Sequence, residues 1–374
     1  DTTTDSIYIQ SHAETEISIS PLAFALGVGI GVTDTASALT ITDSTIQADN
    51  GNIVLNSTAV ENVNFNLAAT AVAGVSVGVI VSSRSLTNQL IIDRGSANAV
   101  MGNLSVTALT GKNQSLVNLS NAGKSGKFAL AVTVSVGDAL TEAAVSGDLD
   151  AGKNISVNAE TVYFGRTSTT TTTLGVTNPL KQAVQNAASG LLSSVQTTVQ
   201  GTKEQASGAS DGDETPKSGF GGGSSIDVAL ENDETYASIG GSYRDLDADL
   251  ILVALGSTSV DAGGDFTINA TQRFAGAIEG GTGLSRDVSS GTGKLTAIVR
   301  AQTAAAPGVT ESDIIGSQGN ALFLNVSVSS MTGVTVAEIG SAATINADKI
   351  TVNAQTAYDL NPLEQFETAA KAFE

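Results

Sequence analysis

The sequence predicts an all-β chain, an elongated parallel β-solenoid (β-helix) of degenerate repeats about 50 residues long, with one inserted amphipathic helix. Three observations carry this expectation. A short turn-and-strand motif recurs along the chain. Runs that alternate aliphatic with small or polar residues accompany each copy. The residues available for a core are small aliphatics: hydrophobic residues make up 41% of the chain, aromatics only 4%, and Trp is absent.

The motif places a Gly, Asn or Asp turn before an apolar–polar–apolar triplet. Its copies are Asn52-Ile53-Val54-Leu55, Asn103-Leu104-Ser105-Val106, Asn154-Ile155-Ser156-Val157, Asp265-Phe266-Thr267-Ile268 and Lys349-Ile350-Thr351-Val352, with a weaker one at Ile7-Tyr8-Ile9. The leading apolar positions are separated by 46, 51, 51, 111 and 84 residues. The first three intervals set the period. The last two read as that period plus insertions, and the interval of 111 also admits two periods.

A short alternating strand leads into each turn, as in Thr45-Ile46-Gln47-Ala48, Thr258-Ser259-Val260-Asp261 and Thr344-Ile345-Asn346. A third element, a Gly/Val/Ala run, follows each motif. It includes Gly27-Val28-Gly29-Ile30-Gly31-Val32, Val75-Ser76-Val77-Gly78-Val79 and Ala129-Leu130-Ala131-Val132. Alternation at period two and β-branched enrichment are the marks of strands. One such unit cannot bury its apolar face alone, whereas stacked units bury a continuous core. The sequence leaves open whether a period is one wide turn or two narrow ones.

Residues 166–224 break the pattern. A Thr run leads to Asn178-Pro179, a helix-start signal, and apolar residues from Leu180 to Val199 recur at steps of three and four. This predicts one amphipathic helix, followed by a Gly/Ser/Asp-rich loop through Gly223. The helix is expected to cap a face of the core, and a surface for docking a neighbouring subunit is the functional alternative. The resulting organisation is solenoid over 1–165, insertion over 166–224, solenoid over 225–360 and a short helical terminal segment over 361–374.

Composition excludes several classes of function. Net charge is −20 and only 17 residues are Lys or Arg, so no basic footprint for nucleic acid exists. No Cys is present, which removes disulfides and thiolate metal sites. No apolar run is long enough for a membrane-spanning helix. The chain opens at Asp1 inside the repeat pattern and is expected to be a mature or excised piece of something longer.

With these repeats, the chain resembles the large repetitive bacterial surface adhesins of the filamentous-haemagglutinin type. The likeness rests on the Ala-Gly-Lys-Asn-Ile-Ser-Val-Asn-Ala junction at 151–159 with its copies, and on the Gly-Val-Gly-Ile-Gly-Val run at 27–32. It implies a β-solenoid shaft, location at the bacterial surface or in a secreted matrix, and contact with other cells or matrix. It carries over no catalytic residue.

Candidates for chemistry are few. The single histidine, His12, lies in an alternating strand and reads as a surface residue. Asp245, Asp247 and Asp249 form an acidic run after Arg244 and are the calcium candidate, although the glycine and terminal glutamate of an EF-hand loop are missing. Asp148, Asp150, Asp211, Asp213 and Glu214 read as solvated acids. The function expected is therefore a non-catalytic structural segment of an extracellular filament or adhesin shaft. Its partners would be copies of itself, adjoining repeats, or surface and matrix glycans. The alternative is a carbohydrate-active β-helix enzyme, a lyase or glycosidase, against which the scarce aromatics and single His count. An array of β-sandwich subunits is a third reading.

Overall fold

The computed structural model describes residues 6–20, 22–70, 75–121, 128–172, 221–245, 251–283, 299–300 and 321–359. The expected helix at 180–199, the loop after it and the segment from 361 onward lie outside the described residues. Among those residues every regular element is a strand.

The chain lays down strands in passes. The first pass holds β1 (Ile7–Ile19), β2 (Leu22–Phe24), β3 (Leu26–Thr42) and β4 (Thr45–Ala48). The second is β5 (Ile53–Thr70) and β6 (Val75–Ala99), and the third is β7 (Leu104–Asn121) and β8 (Phe128–Ala151). The fourth is β9 (Ile155–Thr172), β10 (Gly221–Ile239), β11 (Ser242–Asp245), β12 (Ile251–Ala254) and β13 (Thr258–Ala262). The fifth is β14 (Asp265–Gly283), β15 (Val299–Arg300), β16 (Ala321–Ile339) and β17 (Ala343–Asn346), after which β18 (Lys349–Asp359) begins another.

Two parallel sheets result. One runs β1-β5-β7-β9-β14 with β18 on the far side of β14, and the other runs through β3, β6, β8, β10 and β16. The short strands β4, β13 and β17 continue the second sheet past a bend. The antiparallel pairings are β11 with β12, and two residues of β14 with β15. A parallel arrangement of this kind is not that of a β-sandwich array, whose sheets are antiparallel.

Register follows the sequence repeat. Ile53 pairs with Leu104, Leu104 with Ile155, Ile155 with Phe266, and Phe266 with Ile350. One period is thus one pass, with one long strand in each sheet. The interval of 111 residues is a single pass enlarged by insertion, not two periods. The insertion falls between β9 and β10, where 71–74 and 122–127 connect the preceding passes. Its ends differ from expectation. β9 continues through Thr172 with Thr167, Thr169 and Thr171 buried, and β10 already begins at Gly221.

Asparagines at the turns form a ladder. The Asn52 side-chain oxygen accepts from the Asn103 backbone N–H at 2.8 Å, that of Asn103 from Asn154 at 3.2 Å, and that of Asn154 from Asp265 at 2.8 Å. Each bond satisfies a backbone donor that the turn would otherwise leave unpaired.

The core lies between the sheets and is divided along the strands. At one end Ile53, Leu55, Leu104, Val106, Ile155 and Val157 meet Leu90, Ile92 and Val145 from the other sheet. At the other end Val63, Phe65, Leu67, Ile80 and Leu116 form a second cluster. The expected dry aliphatic interior is therefore only partly realised. Between the two clusters most inward side chains are polar, with Leu86 and Ala139 among the exceptions, and they include a zigzag from sheet to sheet. Thr141 donates to Thr110 at 2.6 Å and bonds Thr161 at 2.7 Å, and Thr161 bonds Thr235 at 2.7 Å.

The glycine-rich run also corrects a simple reading of the alternation. In β3 the glycines face inward and Leu26, Val28, Ile30 and Val32 face outward. Phe65 and Leu67 of the opposite sheet occupy the interior there: a Cβ on Gly31 would lie 2.2 Å from the Phe65 ring, and one on Gly27 would lie 2.9 Å from Leu67.

Candidate functional site

Two features concentrate chemistry, one inside the stack and one on its surface. The inner feature is a buried ionic cluster. Sheet pairing stacks Glu61, Lys112, Tyr163 and Phe274 in one inward column. In the facing sheet it stacks Thr33, Arg84, Gly137 and Glu231. The Lys112 ammonium donates to Glu231 at 2.7 Å and to Asp233 at 2.6 Å, and the Arg84 guanidinium donates to the other Glu231 oxygen. The side chains of Arg84, Lys112, Glu231 and Asp233 are fully buried.

Gly137 makes the Arg84–Glu231 pair possible. It occupies the rung between them, and a Cβ there would lie 2.3 Å from a Glu231 oxygen and 2.9 Å from an Arg84 nitrogen. Tyr163 backs the cations, with the Arg84 guanidinium carbon and the Lys112 nitrogen each 5.5 Å from its ring centroid. Burial raises the Tyr163 phenol well above its ordinary range, so it stays neutral.

Glu61 completes the cluster and accepts a hydrogen bond from the Thr33 hydroxyl. Burial raises its carboxyl from 4.5 to about 7, Arg84 and Lys112 oppose that shift, and Glu231 and Asp138 add to it. Burial raises Asp233 too, against the pull of Lys112. Two cations thus face three carboxylates, and a proton on Glu61 makes the group neutral. The arrangement can hold or release one proton near neutral pH.

The surface feature is the outer face of the second sheet. Part of it is covered by the β11–β12 hairpin. The Arg244 N–H donates to the Glu142 carboxylate at 3.1 Å, Gln89 donates to the Arg244 carbonyl at 2.6 Å, and the Arg244 guanidinium donates to the Tyr236 hydroxyl at 2.6 Å. Gln89 and Glu142 are buried as a result. Farther along the strands the face is apolar and uncovered among the described residues. Val28, Val79, Val132, Ile226 and Val326 form one outward column, and Ile30, Val81, Val134, Val228 and Val328 the next.

Asp245 ends β11, paired with Ile251, while Asp247 and Asp249 lie outside the described residues. Among the described residues no group of three or more His, Asp or Glu is placed to hold a metal ion. His12 is exposed on β1, 3.7 Å from Glu14. No helix among those residues is long and apolar enough to cross a membrane.

The buried ions were not anticipated from sequence, although a signal existed. Glu61 falls in the parity of Ile53, Leu55, Val63 and Phe65, and Lys112 in that of Leu104, Val106 and Leu116, so the alternation already placed both charges inward. The acids that Lys112 meets, 119 and 121 residues distant, were not readable. In comparisons with known proteins, the chain matches no family model, no curated protein and no solved structure.

Proposed function

We propose that this chain is a structural segment of an extracellular filament or adhesin shaft, built as a β-solenoid in which each pass is one coil. One observation carries the reading. The same inward columns run through every pass, and they end at sheet edges open to continuation. Among the described residues, β1 and β3 pair on one side only, as do β16, β17 and β18. At the last pass the core column ends in the open, with Ile350 and Val352 nearly half exposed. Unpaired edges carrying core side chains template a further strand. The partners proposed are therefore adjoining repeats or other copies, with surface or matrix glycans as the contacts the shaft presents. The resemblance to filamentous-haemagglutinin-type adhesins supports placing it at the bacterial surface or in a secreted matrix.

Spacing limits what one chain contributes. At about 4.8 Å per strand, five to six passes rise only about 25 Å along the stack, less than the length of the strands themselves. Elongation then requires continuation in the same direction. Electron microscopy of the purified chain tests this. The expected result is rods growing along the stacking axis. Compact particles at every concentration, both from this chain and from any longer protein that carries it, would overturn it.

A further inference from the structure

The apolar strip on the outer face of the second sheet is larger than a solvated surface ordinarily carries. On the edge strands β3 and β16, Ile30 is 64% exposed, Val32 71% and Val328 47%, and Val79, Val81, Val132, Val134, Ile226 and Val228 between them are partly exposed. Two wholly apolar columns cross five strands, flanked by one column of Leu26, Val77, Leu130 and Ser224 and by another in which Ser83 and Ser330 interrupt Val32, Val136 and Leu230; at strand and residue spacings the whole is roughly 650 Å². We propose that this strip is a lateral interface with a second copy of the chain, packed sheet face to sheet face.

Three observations favour a second copy as the occupant. Two such strips buried together remove roughly 1,300 Å², above the roughly 1,000 Å² that a specific protein interface needs. The columns run along the stacking direction, so a copy lying alongside meets an equal and matching strip, as an isologous interface requires. One border is polar: the neighbouring outward column is Asp34, Ser85, Asp138 and Asn232, a flank of hydrogen-bonding and acidic groups beside the apolar strip. That acidic border and the net charge of −20 disfavour an anionic lipid surface.

This inference does not rest on the shaft reading. A stack that grows end to end and one that does not both present the same strip. Growth at the ends uses strand edges, whereas the lateral contact uses side chains on one face.

Sedimentation equilibrium of the full chain over a range of concentrations tests it, with Val132→Glu and the milder Val132→Thr as strip variants. Wild type is expected to dimerise. Val132→Glu is expected to raise the dissociation constant at least about tenfold, because each dimer buries two unpaired carboxylates. Val132→Thr should raise it less while keeping the same far-ultraviolet circular dichroism. The chain has no Cys, so Val132→Cys supplies a single thiol whose maleimide labelling should slow in the dimer and recover on dilution. A wild-type monomer at all concentrations overturns the proposal, as does self-association unchanged by Val132→Glu, which would place contact at the stack ends. A thiol protected even in the monomer would show another part of this chain on the strip, and binding of the monomer to phosphatidylcholine vesicles would make the occupant lipid. Either result also overturns the proposal.

Discussion

Arg84 reaches Glu231 across Gly137, two passes of the chain and 147 residues away, because the rung between them has no side chain. The contact exists only if three strands, β6, β8 and β10, hold one register. A slip of β6 or β10 by a single residue would turn that strand's charge toward solvent.

Gly137→Ala should therefore destabilise the chain although it adds one carbon. Its Cβ would fall on pinned ends of an ion pair, and separating that pair leaves buried charge without its partner. A loss of about 2–4 kcal/mol in urea unfolding is expected. Gly111→Ala is the control, since a Cβ there meets only Val60 at 3.8 Å, an ordinary contact. It should change stability by less than about 0.5 kcal/mol.

Lys112→Met keeps the length of the side chain and removes its charge. Glu231 would retain Arg84, but Asp233 would lose the ammonium it accepts from at 2.6 Å. The expected cost is about 3–5 kcal/mol at neutral pH. It should shrink in mild acid as Asp233, already raised by burial, takes a proton. Equilibrium unfolding at two pH values measures both effects.

Glu61 sets a pH dependence of its own. Its carboxyl titrates near 7 in the folded chain, against 4.5 when free. Between those values the folded state keeps a proton that the unfolded state has released. Stability therefore falls as pH rises from about 4.5 to about 7, and is level again above. The full amplitude is of order 3 kcal/mol. Glu61→Gln should abolish this slope and be more stable than wild type at pH 8, while Asp233 and Glu142 slope alike in both proteins. The difference between the two unfolding curves isolates Glu61.

The inverted glycine run is tested by neighbours. Gly31→Ala directs a carbon into the Phe65 ring and should cost about 1–3 kcal/mol. Ile30→Thr, one residue earlier on the outer face, should change the folding stability of the monomer by less than about 0.5 kcal/mol. Thermal unfolding of the pair distinguishes this orientation from the opposite one, in which the larger loss would fall on Ile30.

Much of the fold was legible in the sequence because parallel stacking repeats its demands at each rung. Asn52, Asn103 and Asn154 marked the turns, and the apolar residues after them marked the register. The facing of Gly27 to Val32 was not legible. Alternation gives the period of a strand but not which face is buried, and here Phe65 and Leu67 of the opposite sheet decide it by filling the interior. The ionic cluster was half legible: the inward parity of Glu61 and Lys112 was visible, but the pairing of Lys112 with Glu231 and Asp233, and of Glu61 with Thr33, depends on how the two sheets face each other. Of the acidic run, Asp245 ends β11 opposite Ile251, and Asp247 and Asp249 lie outside the described residues.

The central claim is that successive passes stack in parallel register. In that register Ser105 and Ser156 lie side by side on β7 and β9, with their hydroxyl oxygens 3.3 Å apart. The most direct measurement is disulfide formation in the doubly substituted chain Ser105→Cys/Ser156→Cys, compared with Ser105→Cys/Asn158→Cys, on mild oxidation of dilute protein. The account predicts rapid intramolecular closure in the first and little in the second, whose positions are two residues out of register. Equal closure in both, or none in the first, would contradict it.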